Sequence, residues 1–153
     1  MSLYQRLRPL YHRSPQERIQ VMQAELAAPL DATRRALDRL LQLDAEQTAP
    51  LMRGRYDELL DVLRDSMARL ETLVAEGDER AQVSSISDHD LHVYRHDLLT
   101  PLGNVRGVAR LLVRISSPDL PPGFKQVTRD LDDASRDVLD VIDALTASQE
   151  REG

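Results

Sequence analysis

The apolar residues of this chain return every three or four positions along most of its length. Ile19, Met22, Leu26, Leu30, Leu37 and Leu40, with Thr33 among them, mark one buried face of a helix running to about Leu43. Its start is explicit in Ser14-Pro15-Gln16-Glu17, with Ser as N-cap, Pro in the first helical position and Glu three residues after the Ser. Asp44 to Pro50 interrupts the pattern. A second helix is predicted over roughly 51–76, with Leu59, Leu63, Leu70 and Leu73 as its stripe and Gly77-Asp78 as its C-cap. The polar, Ser-rich segment from Asp78 to Asp88 reads as a linker, either extended or partly helical. A third helix starts at Ser87 or Asp88 and runs to about Ile115. Ser116 to Gly123 holds three prolines and a glycine and reads as a loop. A fourth helix spans about 124–148, with Val127, Leu131, Ala134, Val138, Val141, Ile142 and Leu145 on its apolar face. Ahead of all these, Arg6, Arg8 and Arg13 surround Leu3, Leu7 and Leu10 in a segment expected to form a short helix.

The two helical hairpins match each other at an offset of 72 residues, the separation of Pro29 and Pro101. In that register Val21 meets Val93, Leu26 meets Leu98, Leu30 meets Leu102, Arg34 meets Arg106 and Leu40 meets Leu112. It continues through Pro50 and Pro122 to Leu59 and Leu131, then Arg64-Asp65 and Arg136-Asp137, then Leu73 and Leu145. Shared leucines alone would mean little in amphipathic helices; shared prolines and an Arg-Asp pair point to an internal duplication. One helical hairpin cannot bury its own apolar face, whereas two can bury each other. The expected fold is therefore all-α, an antiparallel four-helix bundle of two repeated hairpins, a pseudo-dimer in one chain. Its parts are an N-terminal segment (1–15), the first hairpin (16–77), a linker (78–87), the second hairpin (88–149) and a tail (150–153).

Composition narrows the function. The 153 residues suffice for one ordinary domain, and one Phe, four Tyr and no Trp suit helices better than strands. There is no cysteine, which excludes disulfides, thiolate chemistry and Cys-based zinc sites and fits a reducing cytoplasm. A net charge of −6 argues against nucleic acid as a partner. No apolar run approaches a membrane span.

One segment carries chemistry. Tyr94-Arg95-His96-Asp97-Leu98-Leu99-Thr100-Pro101-Leu102 sets a histidine, an acid and a proline on an otherwise regular amphipathic helix. A neutral imidazole is a usable nucleophile near neutral pH, and a carboxylate beside it can orient the ring and take its proton. Leu98 and Leu102 face inward, which turns His96 and Thr100, four residues apart, towards solvent. His89, His92 and His96 share a face at i, i+3 and i+7, spacing that would also suit a metal, but no metal is needed to account for His96. Arg106, Arg110 and Arg114 read as a solvated basic stripe paired with the acidic fourth helix.

His96, Asp97, Leu98, Thr100, Pro101 and Leu102 resemble the His-Glu/Asp-Leu-x-x-Pro-Leu phosphoacceptor motif of sensor histidine kinases, in their dimerization and histidine-phosphotransfer domain. The resemblance spans about 88–148 and extends more weakly to 16–76. It implies that His96 accepts a phosphoryl group, that Asp97 is its acid/base partner and that Thr100 helps place water for phosphatase activity. It also implies partners: a kinase ATP-binding domain that phosphorylates His96 and a receiver domain whose aspartate exchanges the group. ATP and Mg belong to those partners, because these residues include no Asn-bearing helix, no Gly-rich ATP lid and no Walker-type loop. No cofactor, metal, nucleic acid or membrane is expected on this chain. The duplication favours a monomer, with a family-like homodimer as the alternative.

The first hairpin departs from the motif. Gln23 to Leu41 keeps Glu25, Leu26, Pro29 and Leu30, but Ala24 stands in the histidine's place and Ala28 in that of Thr100. The competing reading of the whole chain is a non-catalytic scaffold that transmits conformational signals within a larger signalling protein.

Overall fold

A computed structural model describes residues 1–45, 55–83, 85–115 and 120–151. The chain is all-helical among these residues. A short helix α1 (Leu3–Leu7) leads through a 3-10 turn (Arg8–His12) into four long helices, α2 (Pro15–Ala45), α3 (Arg55–Ala81), α4 (Asp88–Val113) and α5 (Phe124–Thr146). None of the described helices is long and apolar enough to cross a membrane.

Local chemistry explains the helix starts. Ser14 Oγ accepts from Glu17 N at 3.2 Å, with Pro15 in the first helical position where no N–H is missed. Ser87 and Asp90 form a reciprocal capping box at the head of α4, at 3.1 and 3.0 Å. The backbone N–H of Ser87 holds the Asp90 carboxyl below the usual carboxylate range. The C-terminus of α5 has no basic residue in its last turn, so its free carbonyls need donors from elsewhere. Arg8 gives its Nη1 to the carbonyls of Ala144 and Ala147, at 3.2 and 2.7 Å, and Arg18 gives Nη1 to that of Leu145 at 3.2 Å.

The helices bury one stripe each. α2 packs against α3 and α5, α4 packs against the same two, and α2 and α4 barely touch. Two core clusters each draw on all four long helices. One unites Ile19, Met22 and Leu26 with Leu70, Leu73, Tyr94, Leu98, Val141 and Leu145; the other unites Leu37 and Leu40 with Leu63, Met67, Val105, Leu112, Val127 and Leu131. The N-terminal halves of α2 and α4 thus lie beside the C-terminal halves of α3 and α5. Burial repeats at the 72-residue offset: Ile19, Met22, Leu26, Thr33, Ala36, Leu37 and Leu40 are buried, and so are Leu91, Tyr94, Leu98, Val105, Val108, Ala109 and Leu112.

Three expectations need correction. α3 does not stop at Gly77 but continues to Ala81, so the hairpin boundary at 77 and a linker beginning at 78 are both too early. The reason is tertiary: a Cβ on Gly77 would lie 2.6 Å from Cζ of Tyr94, with the phenol oxygen closer still. Glycine is there to let the Tyr94 ring of α4 approach the α3 backbone, where its hydroxyl donates to the carbonyl of Leu73 at 2.8 Å. Burial raises the phenol's pKa. The α3 stripe is also wider than expected, with Leu60 and Met67 fully buried and Leu59 only half-buried. Arg106, finally, does pair with Asp132 of the fourth long helix, at 3.5 Å, but not from a solvated stripe. It is buried, its Nη1 donating to the Asp132 carbonyl and Ser135 Oγ, both at 3.2 Å, while Arg110 and Arg114 are exposed. Burial lowers the guanidinium's pKa, with Arg110 adding to the effect.

The expected break between α2 and α3 falls mostly on 46–54, outside the described residues, as do 116–119 of the Pro-rich loop and 152–153 of the tail. Within the described part of the tail, Arg151 pairs with Asp140 and Asp143 of α5.

Candidate functional site

The site is built on the first half of α4. Arg18 of α2 holds the helix's first residue, Asp88, in an ion pair. On one flank Arg95 ties α4 to α5 through Asp143 at 2.8 Å and Thr146 Oγ1 at 3.0 Å. Beneath, Tyr94, Leu98, Pro101 and Leu102 are buried. Those anchors leave one arc of the helix turned outward, on which His96 and Thr100 are exposed and Asp97 is half-buried.

Pro101 lies inside the helix without ending it. It has no N–H for the carbonyl of Asp97, four residues earlier, so one ladder bond is absent beside His96. Thr100 Oγ1 reaches back to the His96 carbonyl at 3.4 Å. Its repeat partner Pro29 lies inside α2 in the same way.

His96, Asp97, Thr100, Pro101 and Asn104 form one wall of an open groove of about 370 Å³. Asp65, Ser66 and Arg69 of α3 form the other. The structure therefore gathers all three motif residues in one place and adds a second wall from the first hairpin. His96 and Asp97 make no side-chain hydrogen bond with each other; neighbours on a helix point about 100° apart, so contact needs a rotamer change. The α3 wall escaped the reading of the motif because it lies on another helix. A signal did exist: at the 72-residue offset, Ser66 and Arg69 stand where the second hairpin has Val138 and Val141.

The corresponding face of the first hairpin is closed. Glu25, the repeat partner of Asp97, is clamped by Arg6 of α1 through two bonds, at 3.2 and 2.9 Å. That pairing raises the Arg6 pKa, its hydrogen bond to Glu25 contributing most. α1 packs on α5, with Leu7 sunk into the core. Ala24 and Ala28 supply no functional group, and Val138 and Val141 are buried. The two faces share a backbone plan and differ in chemistry.

His89 and His92 are exposed on α4, but no group of three or more His, Cys, Asp or Glu among the described residues is arranged to hold a metal. A larger cleft of about 520 Å³ lies against the N-terminal segment, lined by Tyr4, Arg8, Tyr11 and His12, and contains none of the motif residues. No family model matches the chain, and neither the curated proteins nor the solved structures contain a significant match to it.

Proposed function

We propose that this chain is a phosphoacceptor module of two-component signal transduction, phosphorylated on His96 and exchanging the phosphoryl group with a receiver aspartate. It is an antiparallel four-helix bundle of two repeated hairpins, in which α2 and α3 replace the second subunit of a dimer. The observation that carries the reading is the exposure of His96 in a groove it shares with Asp97 and Thr100, above a fully buried Leu98–Pro101–Leu102 anchor. The repeated burial pattern of α2 and α4 supports the pseudo-dimer.

The chemistry follows from the residues. The unprotonated ring nitrogen of His96 attacks phosphorus, a P–N bond forms, and the bond from phosphorus to the donor's leaving oxygen breaks with its electron pair going to that oxygen. The proton on the opposite ring nitrogen passes to the Asp97 carboxylate. In the return step a receiver carboxylate oxygen attacks phosphorus, the P–N bond breaks and the imidazole recovers its proton. A kinase domain holding ATP and Mg is the donor in one direction and a receiver domain the acceptor in the other. Because α1 covers the face around Glu25, each chain offers one such site.

Four histidines in one chain provide an internal control, since His12, His89, His92 and His96 are all exposed. With the small donor phosphoramidate and site mapping by mass spectrometry, His96 is expected to gain phosphate about a hundredfold faster than His89 or His92, corresponding to about 2.7 kcal/mol of barrier. Equal rates at all these positions would overturn the reading.

A further inference from the structure

We infer that Arg69 of α3 is the anion-binding residue of the His96 groove, holding the phosphoryl group as it arrives on the imidazole. This rests on the reading of His96 as phosphoacceptor and assigns a chemical role to the hairpin that has lost its histidine.

A phosphoryl group on a side chain carries about −1.5 to −2 charges near neutral pH. The groove that must receive it is lined by two carboxylates, Asp65 and Asp97. With these alone the group would meet like charges on both walls. Among the described residues, Arg69 is the one arginine or lysine that lines the groove.

Arg69 is also available. It is exposed and makes no hydrogen bond or ion pair among the described residues. Arginines nearby are engaged: Arg64 pairs with Asp61, Arg34 with Glu71 and Arg95 with Asp143. Asp65, one turn before Arg69 on the same helix, lies in the groove without pairing to it. A guanidinium suits the task because its planar fork can give two parallel N–H bonds to phosphate oxygens.

The repeat supplies an independent contrast. The counterpart of Arg69 is Val141, fully buried, and the counterpart of Ser66 is Val138, also fully buried. On α5, across from Ala24, there is thus no cation in the place of Arg69; the cation on that face, Arg6, comes from α1 and is already bonded to Glu25. An unpaired guanidinium accompanies the histidine on one face, and both are missing from the other.

The test compares wild type with Arg69→Ala and Arg69→Lys, using phosphoramidate as donor. Its P–N bond breaks, ammonia leaves and the new P–N bond forms on His96. Arg69→Ala is expected to slow His96 loading about tenfold, as loss of a charge-assisted bond implies, and to leave His89 and His92 unchanged. Arg69→Lys should recover part of the rate, keeping the charge without the fork. The advantage due to Arg69 should shrink as ionic strength rises. The melting temperature should not move, because the side chain is exposed and has no partner to lose. Wild-type loading of His96 in Arg69→Ala would overturn this inference alone. Equal loading of His96, His89 and His92 in the wild type would overturn the phosphoacceptor reading, and this inference with it.

Discussion

Gly77→Ala is expected to destabilise the fold by about 2 kcal/mol, although alanine is the better helix former by about 1 kcal/mol. The two effects oppose each other, and sterics wins. Gly77 lies inside α3, and a methyl group there would press on Cζ of Tyr94 at 2.6 Å and on its hydroxyl. The ring cannot retreat, because Tyr94 is completely buried and its hydroxyl is bonded to the Leu73 carbonyl. Chemical denaturation of Gly77→Ala, Tyr94→Leu and the double variant isolates the clash. In the Tyr94→Leu background, the alanine should cost nothing or should stabilise. A Gly77→Ala protein as stable as wild type would show that the ring does not press on this backbone.

Asp97→Asn is expected to slow phosphate uptake by His96 about a hundredfold, at the lower end of what a positioned general base contributes. Asparagine keeps the shape of the side chain but cannot accept the ring proton. Asp97 is half-buried and has no hydrogen-bonding partner among the described residues, so its loss removes no structural contact. Site-mapped loading should therefore fall at His96 alone, with His89 and His92 as unchanged references and the melting temperature unmoved. An unchanged rate would remove Asp97 from the mechanism and leave His96 to act without a base.

Much of this arrangement was legible along the chain because helices write their packing into a period of three to four residues. The stripe of α5, from Val127 to Leu145, is buried at every position that the pattern marked. The N-caps at Ser14 and Ser87 were equally plain, since capping is a local interaction between residues three apart. Gly77 misled for the opposite reason. Gly-Asp is a strong local stop signal, but a ring from α4 decides the outcome there, and nothing within α3 reveals it. Arg106 misled in the same way: its spacing with Arg110 and Arg114 suggests an exposed row, whereas Asp132 and Ser135 of α5 make burial tolerable.

The same division holds at the candidate site. His96, Asp97, Thr100 and Pro101 stand within six residues of one another on one helix, so their relation could be read directly. Arg69, Ser66 and Asp65 belong to the groove only because α3 packs beside α4. The clamp of Arg6 on Glu25 joins residues nineteen apart and depends on α1 folding back over α5. Setting the two halves against each other at the 72-residue offset recovers part of this from sequence, because it pairs the polar Ser66 and Arg69 with Val138 and Val141.

The central claim is that two hairpins in one chain form a pseudo-dimer with one working phosphoacceptor. Native mass spectrometry after brief treatment with phosphoramidate tests it most directly. The expected result is a monomer at micromolar concentration carrying one phosphoryl group, mapped to His96 and absent from His96→Gln. An obligate dimer, or phosphate spread evenly over His12, His89, His92 and His96, would contradict it.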